Sequence, residues 1–132
     1  MVPARLESTR LERKALIDIE GLPMVVHTCK RSELALKLDD LYLVTDNRLI
    51  REVAERYDIN CIMTGEHVSS SDRLAEASDH IDCDVIVNIQ GDEPLVNPNH
   101  IDKILEPIIN DPSLDITVGI TPFSKNNSYS DI

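Results

Sequence analysis

Apolar residues in this 132-residue chain recur at two periods that alternate along its length, and this constrains the fold more than any other feature. Short runs rich in β-branched residues, at 41–45 (LYLVT), 59–64 (INCIMT), 84–90 (DVIVNIQ) and 115–121 (DITVGIT), have the length and composition of strands. Between them, 24–36, 47–57, 71–81 and 99–109 carry apolar side chains at helical spacing. Local punctuation agrees: Pro23 suits a first helical turn, Asn47 and Ser71 are candidate N-caps, and Pro98 sits just ahead of the fourth helix. Pro107 predicts that this helix ends or kinks near its last turn. The strand runs are continuous rather than alternating, the pattern of a parallel sheet buried on both faces, so the expected fold is a doubly wound α/β layer. Such sheets take ligands beyond the carboxyl ends of their strands, in the loops that follow them.

Residues 1–132 read as one domain with two unfinished edges. Only Met1 and Val2 precede the PAR segment, short of a normal strand of ~5 residues, and the polar SKNNSYSDI end has the composition of a loop. Both edges predict a domain truncated at each end.

Composition narrows the function classes. With 24 acidic against 13 basic side chains the formal charge is −11, which argues against nucleic acid and anionic membrane as partners. One Phe, three Tyr and no Trp leave too few rings for a base-stacking platform. No run approaches the ~18 apolar residues of a membrane span and the N-terminus has no apolar signal core, so the expected location is cytoplasmic. Cys29, Cys61 and Cys83 are odd in number and far apart, which fits small core residues in a reducing compartment better than a disulfide or zinc framework.

Three segments carry chemistry. The first 14 residues hold four basic and two acidic side chains, a local charge of +2, while the other 118 hold nine basic and 22 acidic, or −13. A loop with Arg5, Ser8, Thr9, Arg10, Arg13 and Lys14 after a first strand suits a polyphosphate, whose oxygens accept charge-assisted hydrogen bonds from guanidinium and ammonium groups; on charge alone a solvated basic terminus fits equally well. NIQGDEP, Asn88 to Pro94, follows the most apolar run, and Asp92 in a turn opened by Gly91 is a candidate magnesium ligand. In EHVSSSDRLAE, Glu66 to Glu76, hydroxyls lead to Asp72 and Arg73 at a predicted helix N-terminus, where free N–H groups would receive an anion or a carbonyl; on spacing alone an N-cap and an amphipathic helix explain it as well. His27, His67, His80 and His100 share no spacing and read as surface or core residues before ligands, and Asp46 as a capping or turn residue.

PARLESTRLERKAL, HVSSSDRLAE and VNIQGDEPLV, in this order and at these separations, resemble the 3-deoxy-manno-octulosonate cytidylyltransferase (CMP-Kdo synthetase) family from Val2 to about Ile120. The resemblance implies a Rossmann-like α/β domain, a magnesium cofactor, and the joining of CTP to the acidic sugar Kdo with release of pyrophosphate, for lipopolysaccharide biosynthesis. It matches Arg5, Ser8, Arg10 and Lys14 to the nucleotide-binding loop, with Arg10 and Lys14 on the β- and γ-phosphates. It also matches Ser71, Asp72 and Arg73 to the segment beside the nucleotide, Gln90 to the sugar site and Asp92 to the magnesium-binding aspartate. Arg10, Lys14 and Asp92 are thereby the candidate catalytic set, and a homodimer is implied for the full-length family.

Two positions depart from the family pattern. Glu12 replaces a proline in the first loop, placing an anion beside the expected phosphate site, and Ser70 stands where the family has glycine, a problem if that position needs φ > 0. The family's chain is considerably longer, and its second half supplies further sugar contacts and a second metal carboxylate. Two other readings therefore stand beside the enzyme: a truncated or degenerate nucleotide-binding module without turnover, and CMP activation of another acidic sugar such as an amino-Kdo or a sialic-acid-like compound.

Overall fold

The computed structural model describes residues 1–7 and 11–120. Its central sheet is parallel: β1 (Val2–Pro3) pairs with β4 (Leu43–Thr45), and β4 with β5 (Cys61–Met63). Register sets Val2 opposite Leu43 and Leu43 opposite Cys61. Four helices complete the layer: α1 (Met24–Ser32), α2 (Arg48–Arg56), α3 (Ser70–Ser78) and α4 (Pro98–Asn110).

Helices cover both sheet faces, and the two-residue period of the strands sorts the core between them. Val2 and Leu43 pack with Val25, Val26 and Cys29 of α1, Ile50 and Ala54 of α2, and Ile101 and Leu105 of α4. Met1 and Val44 point the other way, onto Leu74 and Ala77 of α3. That two-faced burial is why the sequence runs are continuously apolar, and it gives the doubly wound α/β architecture its sequence signature.

The 84–90 run contributes less regular structure than its composition predicts. Residues 87–89 lie along the free edge of β1, where the Met1 nitrogen donates to the Val87 carbonyl at 2.8 Å and the Ile89 amide to the Met1 carbonyl at 3.0 Å. Pro3 has no N–H to carry the ladder further, so no strand forms here. At 115–120 the strand expectation fails among the described residues. Ile116, Val118 and Ile120 are exposed, and the segment is tied to α4 by Thr117 Oγ1 donating to the Ile104 carbonyl.

Helix boundaries follow their caps. Asn47 accepts from the Leu49 amide as expected, whereas α3 begins earlier than predicted because Ser69, not Ser71, is the N-cap and accepts from the Asp72 amide. Helix α4 ends at Asn110, within one turn of Pro107 and one residue beyond the expected bound. A hairpin absent from the sequence reading, β2 (Asp18–Ile19) with β3 (Leu22–Pro23), turns on Glu20 and Gly21, both at positive φ. Cys29 is buried and its thiol is pushed up to about 12 by burial, in keeping with a core role; Cys83 is exposed and is no core residue. Among the described residues, no helix is long and apolar enough to cross a membrane.

Candidate active site

After β5 the chain crosses to the opposite edge of β1, so the direction of winding reverses between β1 and 87–89. Doubly wound sheets open a crevice at such a reversal, outside the carboxyl ends of the strands. The pocket lies there, an open cleft of about 270 Å³. Pro3, Ala4 and Arg5 enter it from the end of β1, Gln90, Gly91 and Asp92 from the end of 87–89, and His67, Val68, Ser69 and Ser70 from the start of α3.

Local chemistry fixes the Asp92 turn. The Glu93 amide donates to the Gln90 carbonyl at 3.1 Å, which closes a turn with Gly91 and Asp92 at its centre. Gly91 is required for space: a Cβ there would sit 2.6 Å from the Pro3 carbonyl oxygen. From the other side, Thr28 Oγ1 of α1 donates to the Gly91 carbonyl at 3.2 Å. Thus clamped, the turn presents Asp92 to Lys14, whose Nζ donates to Asp92 Oδ2 at 2.5 Å across 78 residues of sequence. Both partners keep solvent contact, at 34% and 48% side-chain exposure.

A second ion pair reaches the pocket from α3. Arg73, with only 4% of its side chain exposed, donates to Asp46 Oδ2 at 2.9 Å and to Thr64 Oγ1 at 2.8 Å. Asp46 is therefore an ion-pair partner that joins the end of β4 to α3, and Asn47 does the capping.

Of the residues expected to act together, Arg5, Lys14, Arg73, Gln90 and Asp92 line one pocket. Ser71 and Asp72 are exposed on the first turn of α3 and do not line it; His67, Ser69 and Ser70 do. Ser8 and Arg10 lie outside the described residues. Glu12 is solvated and pairs with Arg13 at 3.7 Å, and neither residue reaches the pocket lining. Ser70 starts α3 and is not among the residues with positive φ, so its side chain causes no backbone conflict. Thr28, Asp46 and Glu76 were not singled out as site residues. Thr28 and Asp46 bond partners 63 and 27 residues away that no local pattern marks, whereas Glu76 bonds Gly65 and His67 within 11 residues, a pairing that the loop conformation and not the helical spacing creates.

Comparison with known proteins shows the family. A cytidylyltransferase family model matches residues 1–131. The chain belongs to the cytidylyltransferase family. Among its curated relatives is a 3-deoxy-manno-octulosonate cytidylyltransferase of Chlorobium phaeobacteroides strain BS1, 40% identical over 92% of this chain and 50% of the relative. Another, of Chlorobium phaeovibrioides, is 44% identical over 81% of the chain and 44% of the relative. The chain thus spans about half the length of the curated relatives it matches. A solved CMP:2-keto-3-deoxy-manno-octonic acid synthetase, complexed with CTP, superposes with a TM-score of 0.83 at 33% identity, over 86% of this chain and 47% of the other. A cytidylyltransferase from Leptospira borgpetersenii shares the fold at a TM-score of 0.74 and 19% identity, over 83% of this chain and 48% of the other.

Proposed function

We propose that this cytidylyltransferase-family chain binds CTP at the switch-point pocket and belongs to an enzyme that joins CTP to 3-deoxy-manno-octulosonate. The observation that carries the reading is the meeting of Lys14 and Asp92 beside Arg5 at the ends of β1 and 87–89, on a chain of charge −11. A local cation there gives an anionic nucleotide a point of attachment on a protein that otherwise repels it.

In nucleotidyl transfer the sugar's anomeric hydroxyl attacks the α-phosphorus; an O–P bond forms and the bond to pyrophosphate breaks. The work required is positioning and charge neutralisation. Lys14 would release Asp92 and donate to phosphate oxygens, with Arg5 alongside and the Ser69–Ser70 start of α3 directing free N–H groups at the nucleotide. Gln90, on the same rim as Asp92, would face the sugar.

The donor set fits magnesium of one kind. Among the described residues, no cluster of three or more His, Cys, Asp or Glu could hold a metal, so a resident cage is absent there. A half-exposed carboxylate such as Asp92 suits an ion that keeps its waters and arrives with the phosphates. When bound, such an ion neutralises charge on the phosphates.

Isothermal titration of the folded chain with CTP and magnesium tests the reading. Saturable binding that weakens when magnesium is withheld is expected; no heat at millimolar CTP overturns it. Pyrophosphate release on adding Kdo then separates turnover from binding alone.

A further inference from the structure

Residues 64–69 run from β5 to the N-cap of α3 as neither helix nor strand, yet they supply His67, Val68 and Ser69 to the pocket wall. Apolar packing does not hold the middle of this stretch, since Val68 is 97% exposed. Two side chains on one face of α3 hold it instead. Arg73 and Glu76 are three residues apart and so project together from successive turns. Arg73 takes Thr64, as described above. Glu76 reaches back to the next two polar groups: both carboxylate oxygens accept from the Gly65 amide, at 3.0 and 3.1 Å, and Oε2 pairs with His67 Nε2 at 2.5 Å. His67 lines the pocket; Glu76 does not.

These contacts, the His67 hydrogen bond first and the Gly65 amide second, hold the Glu76 carboxyl below the usual carboxylate range. An ionised carboxylate only accepts, so His67 carries its proton on Nε2. Carboxylates that orient histidines fix ring plane and tautomer in this way.

We propose that Glu76 is a positioning residue for nucleotide binding, acting without touching the ligand by gripping Gly65 and His67 so that the 67–70 wall stands ready at the pocket. The proposal rests on the nucleotide reading above. It adds to that reading a residue whose effect is relayed through the loop.

The test uses two readouts on the parent chain, Glu76→Ala and Glu76→Gln. Without ligand, amide exchange at Gly65 and the ring 15N shifts of His67 report the latch. With magnesium and CTP, titration reports the wall. Glu76→Ala is expected to lose Gly65 protection, to give His67 the averaged tautomers of free imidazole, and to weaken CTP about tenfold, equivalent to about 1.4 kcal/mol. Its thermal midpoint should stay close to the parent's. Glu76→Gln keeps an oxygen for Gly65 and should recover most of the affinity, remaining about threefold weaker. CTP affinity equal to the parent's in either variant, with the His67 signature lost, overturns positioning while leaving the nucleotide reading intact. A parent chain with an intact latch that binds no CTP overturns the nucleotide reading and the positioning role with it.

Discussion

Two ion pairs meet the pocket, one through Lys14 and Asp92 and the other through Arg73, and they differ in how much water reaches them. Lys14 and Asp92 meet at 2.5 Å with 34% and 48% of their side chains exposed, whereas Arg73 and Asp46 meet at 2.9 Å with 4% and 23% exposed. An exposed pair contributes little to stability because water solvates each partner nearly as well, so its members can change partners at small cost. A largely buried pair does so at greater cost, because removal of one member leaves the other poorly solvated. On the nucleotide reading proposed above, Lys14 would exchange its contact with Asp92 for phosphate at small cost, while the Arg73–Asp46 pair ties strand end, loop and helix together.

The comparison breaks most readily at Arg73. Arg73→Met should lower unfolding free energy by about 3 kcal/mol in urea titration, because Asp46 and Thr64 lose their donor together. Stability equal to the parent's would place Arg73 with the exchangeable pair. Lys14→Met should behave oppositely. Its urea midpoint should shift by less than about 1 kcal/mol, while CTP affinity falls about 30-fold, or about 2 kcal/mol. Asp92→Asn sharpens the same point: CTP binding should become indifferent to magnesium, and a surviving magnesium dependence would move the metal elsewhere.

Gly91→Ala is expected next in size, at about 1–3 kcal/mol of lost stability, since the new methyl group meets the Pro3 carbonyl and one backbone must shift. CTP binding should weaken with it because the displaced turn carries Asp92. The smallest effect concerns acid. Glu76 is held below its ordinary 4.5 in the folded state, so its contribution is present above that pH and disappears as pH falls through the folded value. The stability of Glu76→Gln should therefore fall less steeply than the parent's below pH 4.5, the small difference between them being present near neutrality and closing in acid.

How much of this was legible in the sequence depended on whether the signal was local. Strands β4 and β5, all four helices and the Asn47 cap follow from period, composition and capping residues within a few positions. The runs at 84–90 and 115–121 carried the same β-branched composition, yet strand formation depends on a partner that composition does not name. At 87–89 the neighbour is β1, whose Pro3 cannot donate; residues 115–120 have no sheet partner among those described. The same limit applied to the site. Lys14 and Asp92 stood out as charged residues in turn-rich loops, but their contact spans 78 residues. Asp46 reads as a capping or turn residue in sequence, and only the fold brings Arg73 to it; Glu76 lies in a segment that reads equally as an N-cap and amphipathic helix, with nothing in that pattern to show its grip on Gly65 and His67.

On this reading the crevice where winding reverses is the nucleotide site, lined by an exchangeable ion pair, Lys14–Asp92, and by Arg73 of a fixed one. The most direct measurement is amide chemical-shift mapping during titration with CTP and magnesium. The largest shifts are expected at Ala4, Arg5, Lys14, Ser69, Ser70 and at Gln90 to Asp92, with Arg73 and Asp46 nearly still. Saturable shifts centred on other residues, with this set unmoved, would contradict it.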